Sequence, residues 1–218
     1  MKIIEPSFEI LRPKKDDGIY CLQIIESAAR ISHRSEEMQT EDSWKRFIKA
    51  VVLEHGDWSV TEHISSSVLF RVDRGITHEL VRHRLFSFTQ ESTRFVNYDK
   101  KGSFEFIYPS GVEQFPTNST WCAAMDYAEK AYLQLIKDGW RPQDARSVLP
   151  NALAATIEVT GNLRNWRHFL LMRTSKETHL DFRLVTIPLL EEFKKRIPLL
   201  FDDIQPGARQ IDNMKLPR

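Results

Sequence analysis

Apolar residues recur at helical spacing along much of the chain. The i, i+3, i+4 pattern predicts helices over residues 19–32, 41–55, 76–85, 119–138, 163–173 and 179–196. Thr40 is the candidate N-cap of the second helix, and Gly56 and Gly139 are stop signals. A further short helix is predicted over 142–148, where the opening proline suits a first turn. Pro188 is expected to interrupt the last helix, because proline lacks a backbone donor.

Segments rich in β-branched and aromatic residues predict strands between these helices. They cover residues 65–72, 104–108 and 155–160. The polar segment 87–94 matches neither period, so we expect a loop that is held against the rest of the protein. Strands and helices mix without regular βαβ alternation, which predicts an α+β fold. No repeat or flexible linker divides the chain, so residues 1–218 are expected to form one domain with 204–218 as a loose C-terminal tail.

Length and composition exclude several classes of protein. The 218 residues are 41% apolar and include 13 Phe and 5 Trp, which is too apolar for a disordered chain and enough to bury a core. No apolar run approaches bilayer-spanning length, and charged residues and a proline interrupt the N-terminal segment that a signal peptide would occupy. Cys21 and Cys122 are too far apart in sequence to suggest a disulfide framework or a metal site. We therefore expect a cytoplasmic protein that does not bind a membrane.

Charge is balanced overall, at 31 basic against 30 acidic residues, so no global attraction to nucleic acid is expected. The 18 Arg among the basic residues favour bidentate binding of phosphates or carboxylates. Only 8 Gly are present and no glycine-rich phosphate motif occurs. Any bound phosphate must therefore be held by Arg and hydroxyl groups.

Histidines and cysteines do not form a metal-binding or nucleophile motif. His78 and His83 are five positions apart, whereas two zinc ligands on one helix face need four, and no Cys or carboxylate cluster completes a site. We therefore expect no metal. Cys21 and Cys122 have apolar neighbours and no adjacent His or Lys that would activate a thiol, so both are expected to be inert.

The segment 82–94 concentrates the chemistry of the chain, with three Arg, one His and several hydroxyl groups. Arg94 follows Ser92 and Thr93, which places a guanidinium beside hydroxyl and backbone donors, as a phosphate site without glycine requires. A second segment, 161–176, holds four basic residues and no acidic one. A solvated helix end followed by a polar loop explains the first segment equally well. The alternative function is a non-catalytic nucleic-acid-binding protein that uses both segments as a basic surface.

Arg82-His83-Arg84, then seven residues, then Ser92-Thr93-Arg94 resembles the signature of a known family. The pattern R-H-R, seven residues, S-x-R is that of the flavin-dependent thymidylate synthases (ThyX). The resemblance covers about residues 28–185. Further segments resemble other landmarks of the family in the same order: 28–32, 54–63, 145–150, 161–166 and 169–173.

This resemblance implies a reaction and an assembly. The family methylates dUMP to dTMP, taking the carbon from 5,10-methylenetetrahydrofolate and the reducing equivalents from NADPH by way of FAD. It uses no enzyme cysteine as nucleophile. The resemblance further implies helices packed on a small, mainly antiparallel sheet, and a cytoplasmic homotetramer whose active sites are shared between subunits.

The resemblance also implies roles for individual residues. Those implied for FAD are Ser59, Arg82, His83, Arg84, Gln90, Asn162, Arg164 and His168. Those implied for dUMP are Glu79, Arg82, Gln90, Glu91, Ser92, Thr93, Arg94, Arg146 and Arg173. Arg173 is implied as the catalytic residue that activates the uracil. A guanidinium keeps its proton at neutral pH, so this activation must be electrostatic, with a fixed cation stabilising an anionic uracil.

Several positions depart from the family pattern. Thr89-Gln90 stands where the family often has Asn-Glu, so a carboxylate is missing there unless Glu91 supplies it. Glu79 stands where Gln is common, and its carboxylate would repel a phosphate unless Arg82 neutralised it. His168 stands where Asn is frequent.

Overall fold

The computed structural model describes residues 1–101, 104–112 and 118–208. Its strands are β1 (Lys2–Ile4), β2 (Ser7–Arg12), β3 (Ser65–Asp73), β4 (Ser87–Gln90), β5 (Glu105–Ile107) and β6 (Ala154–Asn162). Its α-helices are α1 (Gly18–Ile31), α2 (Ser43–Phe47), α3 (Arg74–Leu80), α4 (Tyr98–Lys101), α5 (Asn118–Lys137), α6 (Pro142–Ala145), α7 (Leu163–Arg173) and α8 (Leu180–Arg196). The predicted α+β class is confirmed. None of the helices in these ranges combines the length and apolar character needed to cross a membrane.

The larger sheet has four strands in the order β2-β3-β6-β4. At one end of β3, the Arg74 amide donates to the Leu153 carbonyl (3.1 Å). At the other end, the Leu163 amide donates to the Ile64 carbonyl (2.9 Å). Residue numbers therefore rise along β3 while they fall along β6, which is antiparallel pairing. The expected small antiparallel sheet is present, and β1 and β5 form a separate parallel pair.

The chain forms two compact units. The first unit comprises Met1–Ser7, Phe70–Arg82 and the described residues of 88–158; the second comprises Phe8–Leu69, His83–Ser87 and the described residues from Val159 onward. The R-H-R segment contributes to both, since Arg82 belongs to the first unit and His83 to the second. The expectation of a single domain over 1–218 stays a prediction.

Aromatic side chains build the core of the first unit. Tyr98 stacks on Phe104 with 5.0 Å between ring centroids, and Tyr132 of α5 meets both rings edge-on. Phe104, Phe106 and Tyr132 are almost completely buried. Burying several large rings stabilises this part of the unit and fixes the position of the Tyr98 side chain.

In the second unit, α7 is fixed by its cap and by its buried face. The Asn162 side chain accepts a hydrogen bond from the Asn165 amide (2.9 Å) and so caps the helix. Trp166 is fully buried and donates its indole N–H to the Ser66 carbonyl (3.0 Å). These contacts orient the opposite, exposed face of α7, which carries several of the predicted site residues.

Most predicted elements are confirmed within one or two residues, because their apolar spacing is a local property. The helices predicted over 19–32, 119–138 and 163–173 correspond to α1, α5 and α7. Gly56 and Gly139 follow their helices with φ of +91° and +89°, a conformation that favours glycine. Both stop signals are therefore confirmed.

Three helix predictions were wrong in detail. The helix expected over 41–55 is α2 followed by a π-helical segment, Ile48–Glu54, and Asp42 rather than Thr40 is at the N-cap. The helix expected over 76–85 ends at Leu80, because the chain turns there into the loop that carries His83. Pro188 does not interrupt α8. It removes only the hydrogen bond to the Leu184 carbonyl, and Leu184 is exposed to water.

Two further expectations need correction. The segment 87–94 is not all loop, because its first four residues form β4, an edge strand whose partner β6 is distant in sequence. The loose tail does not begin at residue 204, since Ile204 is fully buried. The Gly207 amide also donates to the Thr174 carbonyl (2.8 Å). Residues 209–218 lie outside the described residues.

Candidate active site

In the first unit, the segment Ser92–Arg94 forms a tight turn directly after β4. The Ser92 carbonyl accepts a hydrogen bond from the Val96 amide (2.9 Å), and the Ser92 hydroxyl accepts one from the Arg94 amide (3.3 Å). Thr93 is buried, whereas the Arg94 side chain is exposed and its guanidinium lies over the Phe95 ring, 5.2 Å from the ring centroid. The turn therefore holds two hydroxyl groups and a guanidinium close together in sequence and in space.

Arg146 reaches the same turn from the end of α6. Its Nη1 donates to the Thr93 hydroxyl (3.3 Å) and its Nε to the Gln143 carbonyl (3.1 Å). The Arg94 Nε donates to the Gln143 side-chain oxygen (3.3 Å). Two guanidinium groups are thus held by one neutral residue, and neither forms an ion pair with a carboxylate of the described residues. Such an uncompensated pair of positive charges beside hydroxyl groups attracts an anion.

Glu79, Arg82 and Gln90 all precede this turn in the sequence. The Gln90 amide nitrogen donates to the hydroxyl of buried Thr77 (2.9 Å), which leaves the amide oxygen of Gln90 as an acceptor. Glu79 is half-buried on α3. Arg82 follows the end of that helix with an exposed side chain, and its backbone amide donates to the Glu79 carbonyl (3.2 Å).

In the second unit, His83 and Arg173 are joined directly. The Arg173 Nε donates to the His83 Nε2 (2.9 Å), and the guanidinium lies over the Phe182 ring, 5.0 Å from its centroid. The half-buried imidazole packs edge-on against Phe169, with 4.9 Å between centroids. Arg173 is the last residue of α7, so the hydrogen bond ties the end of that helix to the R-H-R segment.

The protonation state of His83 follows from these contacts. Burial, and then the electrostatic effects of Arg173 and of His168, lower the pKa of His83 from its ordinary value to about 4. His83 is therefore neutral at neutral pH. Its Nε2 accepts the Arg173 hydrogen bond and its Nδ1 carries the proton. A neutral acceptor holds the guanidinium in place without cancelling its charge.

Lowering the pH from 6.5 to 4 is expected to destabilise the protein partly through His83. Unfolded His83 takes up a proton near pH 6.5, whereas folded His83 resists protonation until about pH 4. The unfolded state binds more protons in this window, so the free energy of unfolding falls as the pH falls. Thermal melting of the His83→Gln variant, which keeps an acceptor for Arg173, should depend less steeply on pH here. Equal slopes for the variant and the wild type would refute this assignment.

The exposed face of α7 carries further predicted residues. Arg164 and His168 are four positions apart and both exposed, so they share one face of the helix. The Arg164 Nη1 forms an ion pair with Glu62 (2.6 Å), in the 3₁₀ turn Trp58–His63 that also contains exposed Ser59. The structure therefore brings Arg164 to the turn that carries Ser59.

The start of α7 also contacts the loop after the R-H-R segment. The Asn165 side-chain nitrogen donates to the Leu85 carbonyl (3.1 Å). Gly161 lies so close to Phe86 that a Cβ at this position would come within 2.4 Å of the ring. Asn162 caps α7 through its side-chain oxygen, which leaves its amide nitrogen as a donor. Arg84, the last residue of the R-H-R segment, is exposed.

Sequence reasoning missed three residues that support the site. Arg71 and Tyr98 both bind the carboxylate of Glu91, and Gln143 joins Arg94 to Arg146. Arg71 could have been noticed in the sequence, because it is a charged residue inside the largely apolar strand predicted over 65–72. Tyr98 and Gln143 carry no comparable signal, because their partners are brought to them by tertiary structure.

A comparison with protein families shows what this chain is related to. The model of the family described as thymidylate synthase complementing protein (Thy1) matches residues 21–199. The chain belongs to the Thy1 family. All the site residues predicted above, from Ser59 to Arg173, lie within the matched range.

Named relatives agree with membership of the Thy1 family, and a solved structure shares the fold. A Corynebacterium efficiens protein named flavin-dependent thymidylate synthase is 38% identical over 171 residues, which cover 71% of this chain and 67% of that protein. A protein of the same name from Mycobacterium sp. (strain JLS) is 34% identical, over 84% of this chain and 79% of its own length. The UMP/dUMP methylase PolB from Streptomyces cacaoi, solved with 5-Br dUMP, has a similar fold. The TM-score is 0.76 at 22% identity, over 93% of this chain and 96% of PolB.

Proposed function

We propose that this chain is a flavin-dependent thymidylate synthase, an FAD-dependent methyltransferase that converts dUMP to dTMP. The observation that carries the proposal is the family match over residues 21–199, which contains every residue of the candidate site. Two relatives that carry this name match most of the chain. The geometry around Arg94 and around Arg173 supports the two binding roles that the reaction needs.

Ser92, Thr93, Arg94 and Arg146 are proposed to bind the phosphate of dUMP. The two guanidinium groups and the hydroxyl groups beside them supply the positive charge and the donors that a phosphate dianion requires. Gln143 keeps the two arginines near each other in the absence of ligand, so less ordering is needed on binding. Arg82, Glu79 and Gln90 are proposed to contact the rest of the nucleotide.

Arg173 is proposed to bind the uracil ring and activate it. A guanidinium beside the N3–O2 edge of the base stabilises negative charge there, which increases the electron density at C5. His83 orients Arg173 through the 2.9 Å hydrogen bond, and its neutral state leaves the guanidinium charge available to the substrate. The protein thus contributes position and charge rather than proton transfer at this atom.

The residues of the second unit fit a flavin dinucleotide. Ser59, His83, Arg84, Asn162, Arg164 and His168 present donors, and those on α7 and in the 58–63 turn are exposed or half-exposed. Arg164 uses Nη1 for Glu62 and has further N–H groups for a ligand. Arg82 and Gln90 are proposed to bind FAD only because the resemblance to the family implies it. Bound FAD would supply the redox chemistry, with NADPH as reductant and 5,10-methylenetetrahydrofolate as carbon donor.

A cytoplasmic homotetramer with active sites shared between subunits is proposed as the working form. Two large, exposed apolar side chains, each next to an arginine of the signature, support contacts with other subunits. Leu85, after Arg84, is 77% exposed, and Phe95, after Arg94, is 78% exposed. Size-exclusion chromatography with light scattering tests the oligomeric state, and a monomer at working concentration would refute it.

Neither cysteine is proposed to act as a nucleophile. Burial, and then the charge of Asp17, raise the pKa of the Cys21 thiol, which disfavours the reactive thiolate. A variant with Cys21→Ala and Cys122→Ser is therefore expected to form dTMP at the wild-type rate. Loss of dTMP formation by a variant that still melts like the wild type would instead indicate a cysteine mechanism.

Flavin binding is the simplest test of the proposal. Protein that is purified in the presence of FAD and then freed of excess FAD should show flavin absorbance in the visible range. In a separate titration, flavin-free protein should quench the fluorescence of added FAD. Addition of NADPH without oxygen should bleach that absorbance. Protein that binds no FAD under these conditions would refute the proposed function.

A further inference from the structure

Glu91, the residue between β4 and the phosphate-binding segment Ser92–Arg94, is fully engaged by neighbouring residues. Its Oε2 accepts hydrogen bonds from Arg71 Nη1 (2.7 Å) and from the Thr156 amide (3.3 Å), and its Oε1 accepts one from the Tyr98 hydroxyl (2.9 Å). The Glu91 amide donates to the Thr156 carbonyl (2.8 Å). Backbone and side chain together fasten the start of the segment to β6.

Arg71 connects this carboxylate to a second one. Its Nη2 donates to Glu105 Oε2 (2.8 Å), and the other oxygen of Glu105 binds the Lys2 ammonium (2.8 Å). Arg71, Glu91 and Glu105 are each about three-quarters buried or more, so the two contacts that Arg71 makes with these carboxylates are only weakly screened by water. Positive and negative groups therefore alternate in this series of contacts, in the order Lys2, Glu105, Arg71 and Glu91. The charge of Glu91 is therefore neutralised locally and adds little repulsion against a nearby phosphate.

Tyr98 holds the other side of the carboxylate. Its ring is fixed in the aromatic core by stacking on Phe104. Burial, and then the charge of Glu91, raise the pKa of Tyr98, so the phenol keeps its proton and remains a donor. The position of Glu91 is consequently determined by a strand residue, Arg71, and by a core residue, Tyr98.

We propose that the Arg71–Glu91–Tyr98 cluster positions the segment Ser92–Arg94 for phosphate binding, and that Glu91 is not a ligand of dUMP. Glu91 is adjacent to Ser92, so fixing its side chain and backbone places the hydroxyl groups and the Arg94 amide before the nucleotide arrives. Glu91 then does not supply the carboxylate that Gln90 lacks. This inference rests on the proposed function, because it specifies how the same site binds dUMP.

Three variants, Glu91→Gln, Arg71→Met and Tyr98→Phe, test the cluster by isothermal titration with dUMP. Each is expected to weaken dUMP binding by about tenfold, because each breaks a contact of one coupled network. The KM for dUMP should rise by a similar factor while kcat changes little. Binding of deoxyuridine, which lacks the phosphate, should be unaffected. The double variant Arg71→Met/Glu91→Gln should bind dUMP about as well as either single variant.

Lys130→Met is the matched control. It breaks an ion pair with Asp126 (2.6 Å) on the surface of α5 in the same unit and should leave dUMP affinity unchanged. Tyr98→Phe keeps the aromatic ring in the core, so it remains informative if Arg71→Met fails to fold. Melting temperatures and FAD binding of each variant separate a positioning effect from general unfolding.

The outcomes distinguish this inference from the function on which it rests. Wild-type protein that binds no dUMP would overturn both. If the wild type binds dUMP, unchanged affinity in Arg71→Met and Tyr98→Phe with loss only in Glu91→Gln would make Glu91 a direct ligand and overturn the positioning role. Equal losses for dUMP and deoxyuridine would also overturn it, since the cluster would then support the fold rather than the phosphate site.

Discussion

Replacing Arg173 with alanine is expected to lower kcat for dTMP formation by about 100- to 1,000-fold, the range typical for removing one fixed donor at a site of developing charge. The guanidinium is held by His83 at 2.9 Å and by contact with the Phe182 ring, so its position is set by the protein. Alanine removes both the charge and the hydrogen bonds. Dissociation constants for FAD should change little in comparison. Single-turnover dTMP formation with bound substrates measures the effect on the chemical steps.

Lys176→Ala is the control for Arg173. It removes a positive charge from the same basic segment, 161–176, at an exposed position. Normal activity of the control beside an inactive Arg173→Ala would assign the effect to one guanidinium. Normal turnover by Arg173→Ala would remove Arg173 from the catalytic role. Equal losses in both variants would point to the net charge of the segment instead.

The second large effect is expected at the proposed phosphate site. Arg94→Ala and Arg146→Ala should each weaken dUMP binding by about 10- to 100-fold, because a hydrogen bond between charged groups contributes about 1.5–3 kcal/mol. Both side chains are held by Gln143. Isothermal titration with dUMP and with deoxyuridine separates the phosphate contribution, since only dUMP affinity should fall.

Arg141→Ala is the matched control for this pair. Arg141 precedes α6, as an exposed residue whose ion pair with Asp144 (2.9 Å) satisfies its charge locally. Its loss should leave dUMP affinity near the wild-type value. Weakening of deoxyuridine binding to the same extent as dUMP in Arg94→Ala would contradict a phosphate role. A loss in Arg141→Ala equal to that in Arg146→Ala would also contradict it.

Sequence pattern predicted those parts of the fold that local spacing determines. The long helices α1, α5 and α7 have regular apolar positions, and glycine with positive φ follows the segments that end at 55 and 138. Strand β4 was missed because Phe88 is the one apolar residue among its four, so no apolar–polar alternation is visible. The strand is stabilised by its pairing with β6. The π-helical segment Ile48–Glu54 was predicted as α-helix, because the spacing of its apolar residues does not distinguish the two kinds of helix.

The candidate site could be proposed from sequence where its residues lie close together in the chain. Arginine and hydroxyl residues at 92–94 indicate a phosphate site from their chemistry alone. His83 and Arg173, 90 positions apart, were each named separately through resemblance to a family, and the hydrogen bond between them was not predicted. The link from Arg71 to Glu91 depends on tertiary structure and could not be predicted from spacing.

Formation of dTMP from dUMP tests the central claim most directly. Purified protein is incubated with FAD, NADPH, 5,10-methylenetetrahydrofolate and dUMP, and the nucleotides are separated and identified by mass. We predict dTMP formation that requires all four components and is absent in Arg173→Ala. No dTMP from correctly folded, FAD-loaded protein, together with salt-sensitive binding to oligonucleotides and none to dUMP, would contradict the account.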